Sequence, residues 1–457
     1  MKKILSLFVL AGCVVTASAQ QDISLYTLNN VFQQLYVNPA YLPKSRVHIG
    51  LPVMSSVYIN ASNTGFAFGR FIGNKDETVD IGKVVDGLGK KNVFSMDVNT
   101  DLFSAGVRVK NMYFSFSMSE RVNTNYTYPK DFFTLIFKGN ASEELLGNRA
   151  DMDGMAYNLN MYHEFALGAS LPVGERMRVG VRAKYLMGLL NITTTRSKLG
   201  LTTDENTFAV SLDGDLALKT SGLGILKSEG DDVAKLLQNR ILKPGGNTGL
   251  ALDLAAEYYL NDRISLSGSL LNLGYIHWKS DVKNYENRNI NYSFEGVDVQ
   301  KLDSDQFSRE LADKLDTLKE RLKFSENSEA YSARLNPQLI LGGNLALNDY
   351  HSIGTLVRTE LISKVLRPSF TFYYQVKVNH WLGATVNYSY LNKSLVNLGG
   401  GFVVKAGPVQ LYATSDNILA PLALKTTKTV QARFGINLAF GGREAKRLRV
   451  PEFSEED

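Results

Sequence analysis

Cysteine is all but missing: one residue, Cys13, in a chain of 457. It falls inside an N-terminal leader pattern, so once the leader is removed no disulfide, thiolate metal site or cysteine nucleophile is available. Histidines are few and scattered, at His48, His163, His277, His351 and His380. Without H-x-x-x-H or a carboxylate at ligand spacing they read as rim or interfacial residues, and no metal is expected. Past the leader no run reaches the roughly 18 apolar residues that a membrane helix needs. The formal charge of +5 falls further when Lys2 and Lys3 leave with the leader, too little to argue for nucleic acid. There is no G-x-S-x-G elbow and no phosphate loop. "GLGILK" at Gly222 starts like a dinucleotide loop but lacks the third glycine. No catalytic residue and no cofactor is expected, and the chain does not read as an enzyme.

The leader is what the first residues do contain. Lys2 and Lys3 precede an apolar core, Ile4–Val15, and Ala17-Ser18-Ala19 forms an A-x-A site before Gln20. Cleavage is expected after Ala19. "LAGC", ending at Cys13, is a competing lipoprotein box, but Val14 and Val15 continue the apolar run past it.

Beyond the leader, alternation dominates. In "RMRVGVRAKYLMGLL", Arg176, Arg178, Arg182 and Lys184 share one parity with Gly180, while Val179, Val181, Ala183, Tyr185, Met187 and Leu189 share the other. A period of two means a strand with unlike faces. The pattern recurs. Phe370, Phe372, Tyr374, Val376 and Val378 oppose Thr371, Tyr373, Gln375 and Lys377; Leu250, Leu252, Leu254 and Tyr258 oppose Asp253 and Glu257. Met112, Phe114, Phe116 and Met118 oppose Tyr113 and three serines, and Val430 to Phe440 opposes Gln431, Arg433 and Asn437. In 333–347 the apolar parity is read as Leu335, Leu339, Leu341, Leu345 and Leu347. These runs, about ten to fourteen residues, suit a tilted strand crossing a bilayer better than a soluble sandwich.

Connections alternate too. Tight turns are signalled at Lys110-Asn111, 173–175, Asn261-Asp262, Asn348-Asp349, Asn379-His380 and Gly407-Pro408, and longer links lie between them, notably 121–157, 191–247 and 279–330. Short turns at one end and long loops at the other describe an outer-membrane barrel. The expected fold is all-β: a transmembrane antiparallel barrel of about fourteen strands, with helices in long extracellular loops. The segments 47–60 and 205–219 stay ambiguous, the first between strand one and an internal plug, the second between wall and loop hairpin. Expected boundaries are a signal peptide 1–19, an N-terminal hatch 20–46, a barrel 47–440 and a disordered periplasmic tail 441–457. Phe307, Leu311, Leu315, Leu318 and Leu322 have helical spacing and predict a loop helix, with shorter ones at 79–89, 142–147 and 231–242.

In lipid the greasy parity must face out, since an arginine there costs about 2–4 kcal/mol at mid-depth. The other parity then lines the lumen: Arg108, Lys110, Arg178, Arg182, Lys184, Arg334, Arg358, Lys377, Lys405 and Arg433, with the acids Glu164, Asp253, Glu257 and Glu360. Such a lining is a paired ionic network or an anion path, and Arg358 with Glu360 is a same-face couple.

"RFGINLAF" resembles the signal read by barrel-assembly machinery, with Arg433, Gly435, Leu438 and Phe440 in its places, although 17 residues follow the aromatic. "LNNVFQQLYVNPAYLPKSRVHIGLP" resembles the mature start of PorP/SprF-type barrels of type IX secretion and gliding, through Asn38, Pro39, Ala40 and Tyr41. It also resembles the hatch of the long-chain fatty-acid transporter family and its PorV-like relatives. The length and helical loops are most similar to an uncharacterised outer-membrane barrel family with the same opening. The resemblance implies an outer-membrane barrel of the Gram-negative kind that acts as a structural or adaptor subunit of a secretion, gliding or envelope complex. The alternative is a passive channel or hydrophobic-solute transporter. Expected partners are outer-membrane lipid, the barrel-assembly machinery and, on the first reading, subunits of such a complex. A filled lumen favours the adaptor, and an open path or apolar cavity favours transport.

Overall fold

Twenty strands follow one another in the structure, a computed structural model that describes residues 22–70, 81–227, 246–294, 323–362, 365–378, 381–391, 394–395, 397–423 and 426–441. They are β1 (Val47–Gly50), β2 (Val57–Asn63), β3 (Lys91–Val109), β4 (Met112–Pro129), β5 (Arg149–Asp151), β6 (Ala156–Val173) and β7 (Met177–Thr203). There follow β8 (Val210–Ser221), β9 (Thr248–Tyr259), β10 (Ile264–Trp278), β11 (Val282–Phe294), β12 (Ser325–Asn327), β13 (Tyr331–Arg334) and β14 (Gln338–Ala346). The last six are β15 (His351–Ile362), β16 (Val365–Lys377), β17 (Leu382–Tyr390), β18 (Leu398–Ala406), β19 (Val409–Ser415) and β20 (Thr429–Phe440).

Antiparallel pairing closes these strands into a 14-stranded barrel. Around the wall run β3, β4, β6, β7, β9, β10, β14, β15 and so on to β20, which pairs with β1 and β2, and these pair back onto β3. β1 and β2 are one wall strand interrupted at 51–56, so the segment 47–60 belongs to the wall. β13 and β14 likewise form one strand, broken at Asn336-Pro337. Closure leaves no strand edge in lipid, where an unpaired backbone group has no water to bond. The described short turns fall where the sequence signals them, at 110–111, 174–176, 260–263, 347–350 and 407–408.

The two parities separate as the sequence demands. Phe372 is 57% exposed and Leu250 67%, facing lipid, while Arg182 is 2% exposed inside the barrel. Val181, Leu254, Phe114 and Phe434 also face out.

Three expectations need correction. Arg334 is exposed on the outer face, cross-strand from Tyr275, and Leu335 is buried inside. The break at Pro337, which has no N–H for the ladder, reverses the parity between β13 and β14. Arg334 therefore stands outside near the barrel's upper rim, where a long cationic side chain can reach the headgroups. Second, the described parts of the long links carry strands of their own. β7 continues past the bilayer to Thr203 and pairs there with β8, which pairs in turn with β11. This extension has its own core, in which Met152, Leu199 and Ile290 are packed against Phe132, Leu135 and Leu212. Its exposed faces carry ion pairs, Arg149–Asp213 at 2.9 Å and Arg196–Glu286 at 2.6 Å. Arg288 and Arg196 hold the Glu286 carboxyl down at about 2. Third, 142–147 forms turns and not a helix. A helix does form at Ile81–Asp86, and one the periodicity did not reveal spans Lys130–Lys138. The leader, the loop helix through Phe307 and Leu322, the 231–242 helix, His380 and the tail after Gly441 lie outside the described residues.

Candidate functional site: a charged vestibule above an internal segment

The N-terminal segment runs inside the barrel. It forms a short helix, Ile23–Thr27, and a tighter turn, Phe32–Tyr36. Leu25, Leu28, Val31 and Val37 pack against inward side chains of the wall, Leu271, Ile340, Leu356, Tyr373, Val403 and Tyr412. Burying each such side chain contributes about 1.5–3 kcal/mol. Polar contacts fix the register. Asp416 accepts from the backbone N–H of Ser24 at 2.7 Å and of Ile23 at 3.2 Å. Gln33 donates to the carbonyl of Ser55 at 3.0 Å and to Asn437 at 3.1 Å. His48 stacks on Phe32 with centroids 3.8 Å apart.

The motif residues Asn38–Tyr41 lie at the base of this segment. Asn38 Oδ1 accepts from the Ala40 N–H at 3.1 Å, closing a local turn, and the Tyr41 hydroxyl accepts from the Asn30 N–H at 2.8 Å. Ser170 donates to the Ala40 carbonyl at 2.8 Å. Pro39 and Ala40 lie directly on Gly180, where an added Cβ would stand 2.0 Å from Pro39. Gly180 therefore interrupts the cationic parity of β7 because the segment's backbone occupies that space.

Above the segment the inward charges form a network. Arg182 pairs with Asp253 at 3.2 Å and Lys184 with the same carboxylate at 2.7 Å. Glu164 takes Arg121 at 3.1 Å, Lys184 at 3.5 Å and Arg182 at 3.6 Å. A bulge in β10 places Asn272 in the same cluster: its N–H donates to Asp253 at 2.7 Å and its Oδ1 accepts from Lys184 at 2.8 Å. Tyr36 reaches up from the segment, donating to Asp101 at 2.6 Å while Arg182 stands 4.8 Å from its ring centroid. Across the lumen Asp97 accepts from Asn60 and Asn123, both at 2.8 Å. Arg358 and Glu360 share the inner face, with Gln338 between them, accepting from Arg358 at 2.7 Å and donating to Glu360 at 3.2 Å.

These groups surround a cavity of about 100 Å³ whose lining includes Asp22, Tyr36 and Val37 of the segment and Arg121, Glu164, Lys184, Glu360 and Arg433 of the wall. The other expected lumen charges stand apart. Arg178 is buried lower, donating to the Asn111 carbonyl at 2.9 Å, with Glu257 its cross-strand neighbour. Arg108, Lys377 and Lys405 are half-buried near the short-turn rim, and Lys110 is exposed in its turn. Of the assembly-signal residues, Arg433 points in, Leu438 and Phe440 point out, and Gly435 lies where a Cβ would meet the Ser55 carbonyl. His163 pairs with Glu120, His277 meets Ser332 and His351 meets Tyr374. Sequence reading passed over Asp22 in the hatch and Arg121 in a presumed loop, where no parity places a charge, and Asp97 and Asp101, which a bulge after Asp101 puts on the opposite parity from Arg108.

Residues 39–416 match a family model described as a family of unknown function (DUF5723). The chain belongs to that family. No curated protein matches it. Among solved structures it is similar to the toluene transporter TbuX of Ralstonia pickettii, at 10% identity and TM-score 0.40 over 91% of this chain and 95% of that one. It is similar to the toluene transporter TodX of Pseudomonas putida, at 10% identity and TM-score 0.39 over 92% and 93%. A FadL homologue of Pseudomonas aeruginosa matches at 10% identity and TM-score 0.42 over 93% and 100%. Likeness at this level carries no argument about solute.

Proposed function

We propose that this outer-membrane barrel transports a small solute, with the charged vestibule as its entrance and the N-terminal segment as its barrier. The observation that carries this is the cavity itself: its walls are ionisable and its floor is made by Asp22, Tyr36 and Val37, residues of a segment that runs inside the barrel and enters the wall at Val47. A floor built from a separate segment can move without opening the wall ladder, so the barrel keeps its closure. Paired ions above it give a water-compatible approach. Conductance in planar bilayers tests this. Deleting 22–42 should give large, steady openings where the intact protein shows small or rare ones, with heat-modifiable gel mobility confirming a folded barrel. A folded deletion variant that stays silent contradicts the reading.

A second reading has its own support. The filled lower lumen and the extension of β7, β8 and β11 suit a structural subunit of a secretion or envelope complex, with the extension as partner surface. Co-purification of defined partners from detergent extracts, lost on removing 196–217, supports it, and solitary purification counts against it. Leader removal after Ala19, sequencing of the mature N-terminus being the test, fits both readings.

A further inference from the structure

We propose that Arg433 is a carboxylate-binding site at the vestibule floor, filled at rest by Asp22 of the N-terminal segment and taken over by the carboxylate of an incoming solute. This rests on the transport reading and names a solute class for it.

The site is built for that group. Arg433 donates through Nε to Asp22 Oδ1 at 3.0 Å and through Nη2 to Oδ2 at 2.7 Å. Two parallel bonds from a planar fork are how guanidinium recognises a carboxylate. The remaining arm, Nη1, donates to Ser56 Oγ at 2.5 Å, and the Tyr58 ring lies 4.4 Å from the guanidinium carbon. Hydroxyl and ring thus hold the fork in place whoever occupies it. Both Asp22 and Arg433 line the cavity, so the pair faces the entrance.

Asp22 differs from the other carboxylates there. Arg121, Arg182 and Lys184 are matched by Glu164 and Asp253, which belong to wall strands. Asp22 belongs to the internal segment, and its backbone is left-handed, φ 72 and ψ 22. Asp tolerates that region better than most residues but still pays for it. A free carboxylate offers Arg433 the same two bonds without holding that backbone. Takeover need free only the tip, Asp22–Ser24, whose other anchors are the two N–H bonds to Asp416, the Ser24 hydroxyl bonded to the Ser415 carbonyl and to Asn387, and the buried Ile23 side chain.

The test uses the full-length chain with Cys13→Ser, so that a single introduced thiol reports. Ser24 is fully buried, and Ser24→Cys reads exposure of the tip through its rate of reaction with a water-soluble maleimide. Sodium acetate is compared with sodium chloride at equal ionic strength, which removes general screening. Labelling should be at least about tenfold faster in acetate, the scale of a lost bidentate ion pair. Adding Asp22→Asn should make labelling fast in both salts. Arg433→Lys, which keeps the charge and loses the fork, should abolish the preference for acetate. Equal rates in the two salts, slow labelling with Asp22→Asn, or an acetate preference that survives Arg433→Lys each overturn the proposal. If acetate speeds labelling but the 22–42 deletion does not conduct, the site stands and the transport reading falls. Conductance with acetate-blind labelling gives the reverse.

Discussion

The lower and upper halves of β7 follow different rules. From Arg178 to Tyr185 cations and apolar residues alternate, and the alternation is realised: Arg178, Arg182 and Lys184 are buried inward, Val181 and Tyr185 exposed outward. From Leu186 onward, Leu186, Met187, Leu189 and Leu190 are all buried. Leu189 and Leu190 pack with Ile225 beside Leu159, Met161 and Leu223. One strand thus passes from a wall between lipid and a polar lumen to a layer covered by protein on both sides. Strict alternation needs two unlike solvents, and where protein replaces both, apolar residues occupy successive positions.

Five substitutions probe that contrast, each read by denaturant unfolding of purified protein in lipid or detergent. Asp253→Ala should be the most damaging, about 3–5 kcal/mol, because it strips Arg182 and Lys184 of their closest carboxylate deep in the lower half. A loss under about 1 kcal/mol would mean that lumen water substitutes for the partner. In the upper half Leu189→Ala should cost about 2–5 kcal/mol, and Val181→Ala less, since lipid fills the space that protein cannot. Equal costs would erase the difference between the halves. Val181→Arg should cost about 2–4 kcal/mol, a penalty that distinguishes lipid from water on that face. Arg149→Ala, in the exposed Arg149–Asp213 pair of the extension, should cost at most about 1 kcal/mol and less at high salt.

The same contrast explains what was legible. The barrel, its strand number and the inward placement of Arg182, Lys184, Asp253 and Arg358 follow from parity, which two solvents write into every wall strand. Parity misplaced Arg334 because Pro337 resets the phase, a change that one strand's composition does not announce. Of the extension it offered only a loop hairpin at 205–219, where β8 folds back on β7, because a strand covered on both faces looks like a loop interrupted by apolar residues. The partners of the ionic groups were not legible at all. Asp22 and Arg433 are separated by 411 positions, and the segment that joins them has no periodicity. The turn at Asn38–Tyr41 was visible as a motif, but its seat on Gly180 appears only when β7 is folded beneath it.

The central claim, that one parity meets acyl chains and the other an aqueous vestibule, is tested most directly by spin labels at Phe372 and Gln338 in reconstituted protein. The account predicts that relaxation at position 372 responds to oxygen and hardly to a water-soluble nickel chelate, with the opposite at 338, which lines the cavity. Nickel-dominated relaxation at 372, or oxygen-dominated relaxation at 338, would contradict it.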